Sequence, residues 1–364
     1  MTTRRKGSAK LLAALLGLSM VAAACGSDDD AGTAGGDTDA TTEGGGESAG
    51  GESPCPENEV TGEPEAGGNV TFAAEQVVQG FSPLRSAHNS TTLGSVAAFW
   101  LPGVQAVQPD GSVETNEDLM VSMEQVSDDP QTIEYVIQED AVWSDGTPIT
   151  GADFDYTFQQ LNGSNPDADA ASTTGYEDIE TLTVDESDPK QVTVVYGAET
   201  PFADWQSLFD YLYPSHIMEE RGTPFGESFD TDDVPDFSGG PWIIDDYELD
   251  SVITFVPNEE WYGEPPLLES ITYQLGIEPG TLAQSFENNE IDMAYPQPQV
   301  DLVSSFQALQ PAVACQITTG FSFEHIDFNQ ENEFLQDLEV RQAIAFALDR
   351  DDLVERTIGQ FDPN

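Results

Sequence analysis

Basic side chains are nearly missing from this sequence: ten lysines and arginines stand against 68 aspartates and glutamates, a formal charge of −58. Four of the ten, Arg4, Arg5, Lys6 and Lys10, fall in residues 1–24 beside no acid, which leaves six for the rest of the chain. Such a surface repels nucleic acid and anionic headgroups, so no nucleic-acid partner is expected. It suits a saline exterior, where screening reaches only about 8 Å; a specific cationic partner is the alternative. Histidine is scarce as well. His88, His216 and His325 lie far apart with no metal-ligand spacing, so no metal site is assigned. The chain has no Gly-x-Ser-x-Gly elbow, and carboxylate pairs such as Asp185 with Glu186 follow from the abundance of acids. No catalytic residue and no cofactor is assigned, and an exported hydrolase is the weaker alternative to a binding role.

Long apolar runs are also lacking. Residues 11–24 form one too short to cross a bilayer comfortably; three alanines close it, directly before Cys25. A basic start, a short apolar segment and a small-residue site make a secretory signal. Residues 1–24 resemble a bacterial lipoprotein signal, in which Cys25 would carry lipid and become the mature N-terminus; an ordinary cleaved signal is the alternative. Residues 25–68 are rich in Gly, Ser, Thr, Ala, Asp and Glu, with no aromatic or basic residue. They bury too little apolar surface to offset their conformational entropy, and read as a disordered acidic linker. Beyond Cys25 only Cys55 and Cys315 remain, and outside the cytoplasm they either bridge or stay as two free thiols. The place of Cys55 in a linker favours free thiols.

From residue 69 strand and helix patterns alternate, which argues for an α/β architecture. Strands are expected at 69–73, 132–137, 191–196, 251–256 and 270–275, and helices at 151–161, 281–288 and 339–348. Three blocks have readable mechanics. In residues 141–158 a Trp-Ser-Asp-Gly-Thr-Pro segment leads into a helix capped by Thr150 and Asp153. In residues 237–294 a Ser238-Gly239-Gly240-Pro241-Trp242 bend opens a strand, Asn258 to Gly263 form an aromatic turn, and residues 282–294 read as a helix. In residues 338–350, Val340, Ile344, Ala347 and Leu348 form one stripe of a core-facing helix, with Arg341 and Arg350 ready for ion pairing.

The three blocks in this order resemble the solute-binding lipoproteins of ABC importers for oligopeptides, dipeptides and nickel, across about residues 69–358. The resemblance implies an α/β, bilobed, periplasmic-binding-protein-like fold of type II, in the three-lobed peptide-binding variant. Residues 69–88 and 201–300 would form the first lobe, 89–200 an inserted small lobe, and 301–364 the start of a second large lobe that is incomplete here. It further implies a monomer outside the cytoplasm, held to the membrane by lipid on Cys25, that captures a short peptide or other small solute and passes it to ABC permease subunits. A surface lipoprotein that senses ligand shares the same physics, and nickel or haem stays open as ligand. The expected cleft-facing residues are Glu75 and Gln76 after the first strand, Ser238 and Gly239 at the bend, and Phe321 and Phe323; Glu75 would meet a cationic group.

Overall fold

The computed structural model describes Cys55, Gly62, residues 64–108, 112–297, 299–317 and 325–357, and Gly359. Residues 1–24, Cys25, most of 25–68, Phe321 and Phe323 lie outside the described residues. The described residues form two compact units, one from Gly62 to Pro296 and one made of Cys55 and the residues from Gln297 onward.

The elements of the first unit are strands β1 (Asn69–Ala73), β2 (Gln105–Val107), β3 (Val113–Thr115), β4 (Met120–Asp128), β5 (Gln131–Ile137), β6 (Ile179–Asp185), β7 (Asp188–Tyr196), β8 (Trp242–Glu248), β9 (Val252–Pro257), β10 (Ser270–Gln274) and β11 (Met293–Ala294). Its helices are α1 (Thr91–Ala97), α2 (Gly151–Leu161), α3 (Ser215–Arg221) and α4 (Leu282–Glu287). A mixed five-stranded sheet has the order β11-β1-β10-β9-β8, and an antiparallel four-stranded sheet the order β4-β5-β7-β6. In the larger sheet β1 runs parallel to both neighbours, and β10–β9 and β9–β8 are antiparallel. Alternation sets the register: Ile271 opposes Phe255 and Tyr273 opposes Ile253, and all four point inward and are buried. Phe99 and Trp100, just after α1, cover this face, their rings 5.1 and 5.9 Å from that of Phe255.

The smaller sheet carries α2. Thr150 and Asp153 form a complete capping box, and the helix buries Phe154, Phe158 and Leu161. Gly151 lets the helix start lie flat on the sheet, since a Cβ there would meet Val184 and Val192 side chains at 2.6 to 2.9 Å. One continuous apolar core, from Ala74 to Leu275, runs under both sheets.

Two expectations are corrected. The helix expected over 282–294 stops at Glu287, because Asn289 takes a left-handed φ of 56°. Ile291 is then buried, Asp292 exchanges backbone and side-chain bonds with Thr71, and Met293 and Ala294 become β11. The second unit contains α5 (Val300–Leu309), α6 (Leu338–Ala347) and α7 (Arg350–Arg356). Helix α6 was expected to face a core, yet none of its residues is buried: Val340 is 37% and Phe346 88% exposed. Its apolar stripe has no covering layer among the described residues. Arg341 donates to the carbonyls of Leu335 and Gln336 at 2.8 and 3.0 Å and so ties down the turn before the helix.

The free-thiol reading of the cysteines is also overturned. Cys55 and Cys315 form a disulfide, with Cα atoms 4.9 Å apart.

Candidate functional site

Because β11, β1 and β10 are parallel, their carboxyl ends emerge along one edge of the large sheet. Open α/β sheets offer ligands their clearest approach at such an edge. Glu75 and Gln76 leave β1 there, Glu75 half-buried and Gln76 exposed. Pairing persists one residue beyond the strand, where the Ala74 amide donates to the Gln274 carbonyl at 2.8 Å and its carbonyl accepts from Ile277 at 2.9 Å. Tyr295, 58% exposed, leaves β11 at the same edge. The edge therefore presents a carboxylate, an amide and a phenol on anchored backbone.

Ser238 and Gly239 lie elsewhere. They lead into Trp242, which pairs with Pro257 beside the start of β10, so the bend sits at the opposite end of the sheet from Glu75. The Ser238 side chain is fully buried; its hydroxyl donates to the Trp242 carbonyl at 2.6 Å and accepts from the Gly240 amide at 3.0 Å. The Gly239 amide donates to the Trp100 carbonyl, and its own carbonyl accepts from the Tyr262 hydroxyl at 3.0 Å. Asn258 donates to the Gly240 carbonyl at 2.9 Å. A Cβ on Gly239 would press on Pro102 and Trp143 at 2.7 and 2.9 Å. The polar groups of the bend are spent inside the protein, so its glycines serve close packing.

The Trp-Ser-Asp-Gly-Thr-Pro segment turns its tryptophan inward and leaves Asp145, Gly146 and Pro148 exposed. Trp143 is fully buried against Phe237, with ring centroids 6.0 Å apart. Asp145 accepts from the Thr147 amide at 2.9 Å and faces His216 at 2.9 Å. Desolvation pushes its carboxyl up, but bonds from Thr147 and His216 outweigh that and hold it below the usual range. Asp153 accepts from Thr150, Ser215 and Trp143; burial nevertheless raises its pKa.

A polar cluster escaped the sequence reading. His88 and Arg85, both buried, meet Asp230 at 2.8 and 3.0 Å, and Arg85 also donates to the Ser228 carbonyl. Asp169 stands 3.6 Å from Arg85 and accepts from the Ala87 amide. Desolvation lowers the pKa of His88, against the bond from Asp230. The one available signal was an arginine and a histidine three residues apart in a chain that has few of either. Among the described residues no group of three or more His, Cys, Asp or Glu could hold a metal ion, and no helix is long and apolar enough to cross a membrane.

Comparison with known proteins gives consistent matches. The model for bacterial extracellular solute-binding proteins, family 5 Middle, matches residues 114–362. The oligopeptide-binding protein OppA of Mycobacterium tuberculosis (strain ATCC 25618 / H37Rv) is 28% identical over 289 residues, 78% of this chain and 47% of its own length. The nickel-binding periplasmic protein of Escherichia coli (strain K12) is 24% identical over 238 residues, 64% of this chain and 43% of its own. Among solved structures, the periplasmic EDTA-binding protein EppA superposes with a TM-score of 0.71 at 33% identity, covering 83% of this chain and 57% of that one. The oligopeptide-binding protein AppA of Bacillus subtilis, solved with a nonapeptide, shares the fold with a TM-score of 0.66 at 17% identity over 81% of this chain and 56% of that one. The chain thus spans about half the length of the curated relatives it matches.

Proposed function

The chain belongs to family 5 of the bacterial extracellular solute-binding proteins, and from that premise we propose that it captures short peptides outside the cytoplasm for an ABC permease. What supports the peptide assignment is the similarity over 289 residues to a protein named for oligopeptide binding. Main-chain groups at a strand end can hold a peptide backbone without strict side-chain choice. Glu75 and Gln76 are the proposed ligand-facing residues of the first unit, with Glu75 meeting a cationic group; Phe321 and Phe323 are proposed for the second. Ser238 and Gly239 act from behind by holding their bend rigid. Ligand that touches both halves of a bilobed protein favours the closed form and shifts the population toward it. No chemical step is assigned to any residue. Lipid on Cys25 would keep the protein at the membrane surface as a monomer, and a sensing partner in place of a permease would use the same closure.

Calorimetry tests this on the chain from residue 26, with pools of short peptides, nickel ion and a polycarboxylate chelate as separate arms. Heat with peptides, reduced for cationic peptides by Glu75→Gln, supports the reading. Heat only with nickel or the chelate replaces peptide by that ligand class. No heat in any arm overturns capture by this chain.

A further inference from the structure

The Cys55–Cys315 bridge joins residues 260 apart in sequence. Cys55 is fully buried and its carbonyl accepts from the Ile317 amide at 3.4 Å, while Cys315 is half-buried. Both cysteines belong to the second unit. Between Cys55 and β1 the chain passes Gly62 and residues 64–66, all exposed, and joins the first unit where the Gly67 amide donates to the Leu267 carbonyl at 2.7 Å.

This topology bears on how an N-terminal tether holds the protein. Exposed stretches of small and polar residues are where proteases nick. If the N-terminal arm reached the folded units through peptide bonds alone, one cut at 64–66 would release them. The disulfide adds a second covalent route, from Cys55 to Cys315 and then back along the chain through Gln297 to the first unit. We propose that the bridge is a strap that fastens the tether to the second unit, so that proteolysis at 64–66 does not shed the protein unless the disulfide is also reduced. Reduction by a dithiol breaks the S–S bond with two electrons and two protons, leaving thiols on Cys55 and Cys315 and a disulfide in the reductant. At a cell surface the device rests on the reading that Cys25 is lipidated. The bridge itself does not.

The experiment replaces the lipid by biotin, so that the strap and the lipid anchor stand or fall separately. The chain from residue 26, biotinylated at its N-terminus and carrying a specific-protease sequence between Glu65 and Ala66, is held on streptavidin beads and cut. Complete cleavage on a reducing gel, with nearly all the protein kept on the beads until dithiothreitol is added, is the expected result. Cys55→Ser and Cys315→Ser should each be released by cleavage alone. The comparison of the native cysteines with and without reductant keeps its meaning even if a variant misfolds. Release without reductant, alkylation of both thiols in unreduced protein, or retention that survives reduction would each overturn the strap.

Discussion

Ser144 and Ser238 hold one another by reciprocal bonds: the Ser144 amide donates to the Ser238 carbonyl at 2.7 Å, and the Ser238 amide to the Ser144 hydroxyl at 2.9 Å. Two segments 94 residues apart are thereby locked at one end of the large sheet, opposite the carboxyl ends of β1 and β10. Replacing Ser238 by alanine strands the buried Gly240 amide and the Trp242 carbonyl, and an unsatisfied buried polar group costs about 1–3 kcal/mol. Urea unfolding of Ser238→Ala should show that loss, while ligand affinity measured in dilute buffer stays unchanged. A large affinity loss at unaltered stability would return Ser238 to the cleft.

Gly239→Ala tests the same bend by overpacking. The added methyl group meets Pro102 and Trp143 inside contact distance, and a forced fit of this kind costs about 1–3 kcal/mol. The expected signature is a lower unfolding midpoint and altered Trp143 fluorescence. Unchanged stability would mean that the bend has slack.

How much could be read in advance followed the range of the cause. Helix α2 was found at its true limits because its cap, its turn and its apolar face lie within a dozen residues. The span 281–288 matches α4 to within a residue, with Asn288 and Asn289 as its stop signal, while the longer helix over 282–294 fails because the apolar residues beyond them only kept a helical look. Ser238 could not be placed from sequence: the hydroxyl bonds locally to Trp242, but what encloses it is Trp100, 138 residues earlier. The bridge of Cys55 to Cys315 depends on a three-dimensional distance that spacing does not encode. That Glu75 and Gln76 follow a strand was legible in the local pattern of residues 69–73, whereas the parallel partners that place them at the carboxyl end of the sheet come from residues about 200 positions away.

Asp210 predicts a pH dependence. It is half-buried, and desolvation pushes its pKa up to about 7, against bonds from its own amide and that of Tyr211. A carboxyl raised in the folded state binds more protons there than in the unfolded chain, so its contribution to stability falls as pH rises from about 4 to 7. Asp210→Asn removes the titration and should flatten the stability profile across that window. A slope identical to the parent's would show that Asp210 titrates normally.

His88 works with the opposite sign. Burial lowers its folded pKa below the unfolded value of 6.5, so the stability it contributes is present above that value and lost as pH falls through it. The Asp230 bond is the influence that holds the imidazole up, and Asp230→Asn should therefore move its titration lower still. Histidine NMR shifts read this directly. An upward move would mean that Arg85, left with fewer partners, had swung away from the ring.

The disulfide should matter most to the second unit. Cross-linking a long loop stabilises mainly by restricting the unfolded chain, and loss of a native bridge typically costs about 2–5 kcal/mol. In Cys315→Ser that loss should appear as faster hydrogen exchange from Gln297 onward, with α2 and the two sheets of the first unit little changed. Equal loosening of both units would show that they unfold as one.

Helix α6 supplies the last test. Leu338, Val340 and Phe346 are 55, 37 and 88% exposed, so in this chain the helix presents apolar side chains to water. Contiguous exposed apolar surface drives association, while replacing a side chain that touches little leaves stability within about 0.5 kcal/mol. Phe346→Glu should therefore reduce self-association in sedimentation and lower the binding of a hydrophobic dye, with the unfolding midpoint unmoved. Ile344 is the contrasting position: partly covered and on the stripe with Val340, it should lose some stability when made polar. If Phe346→Glu destabilised the protein by several kcal/mol, the ring would be packed in solution and α6 would have a covering layer after all.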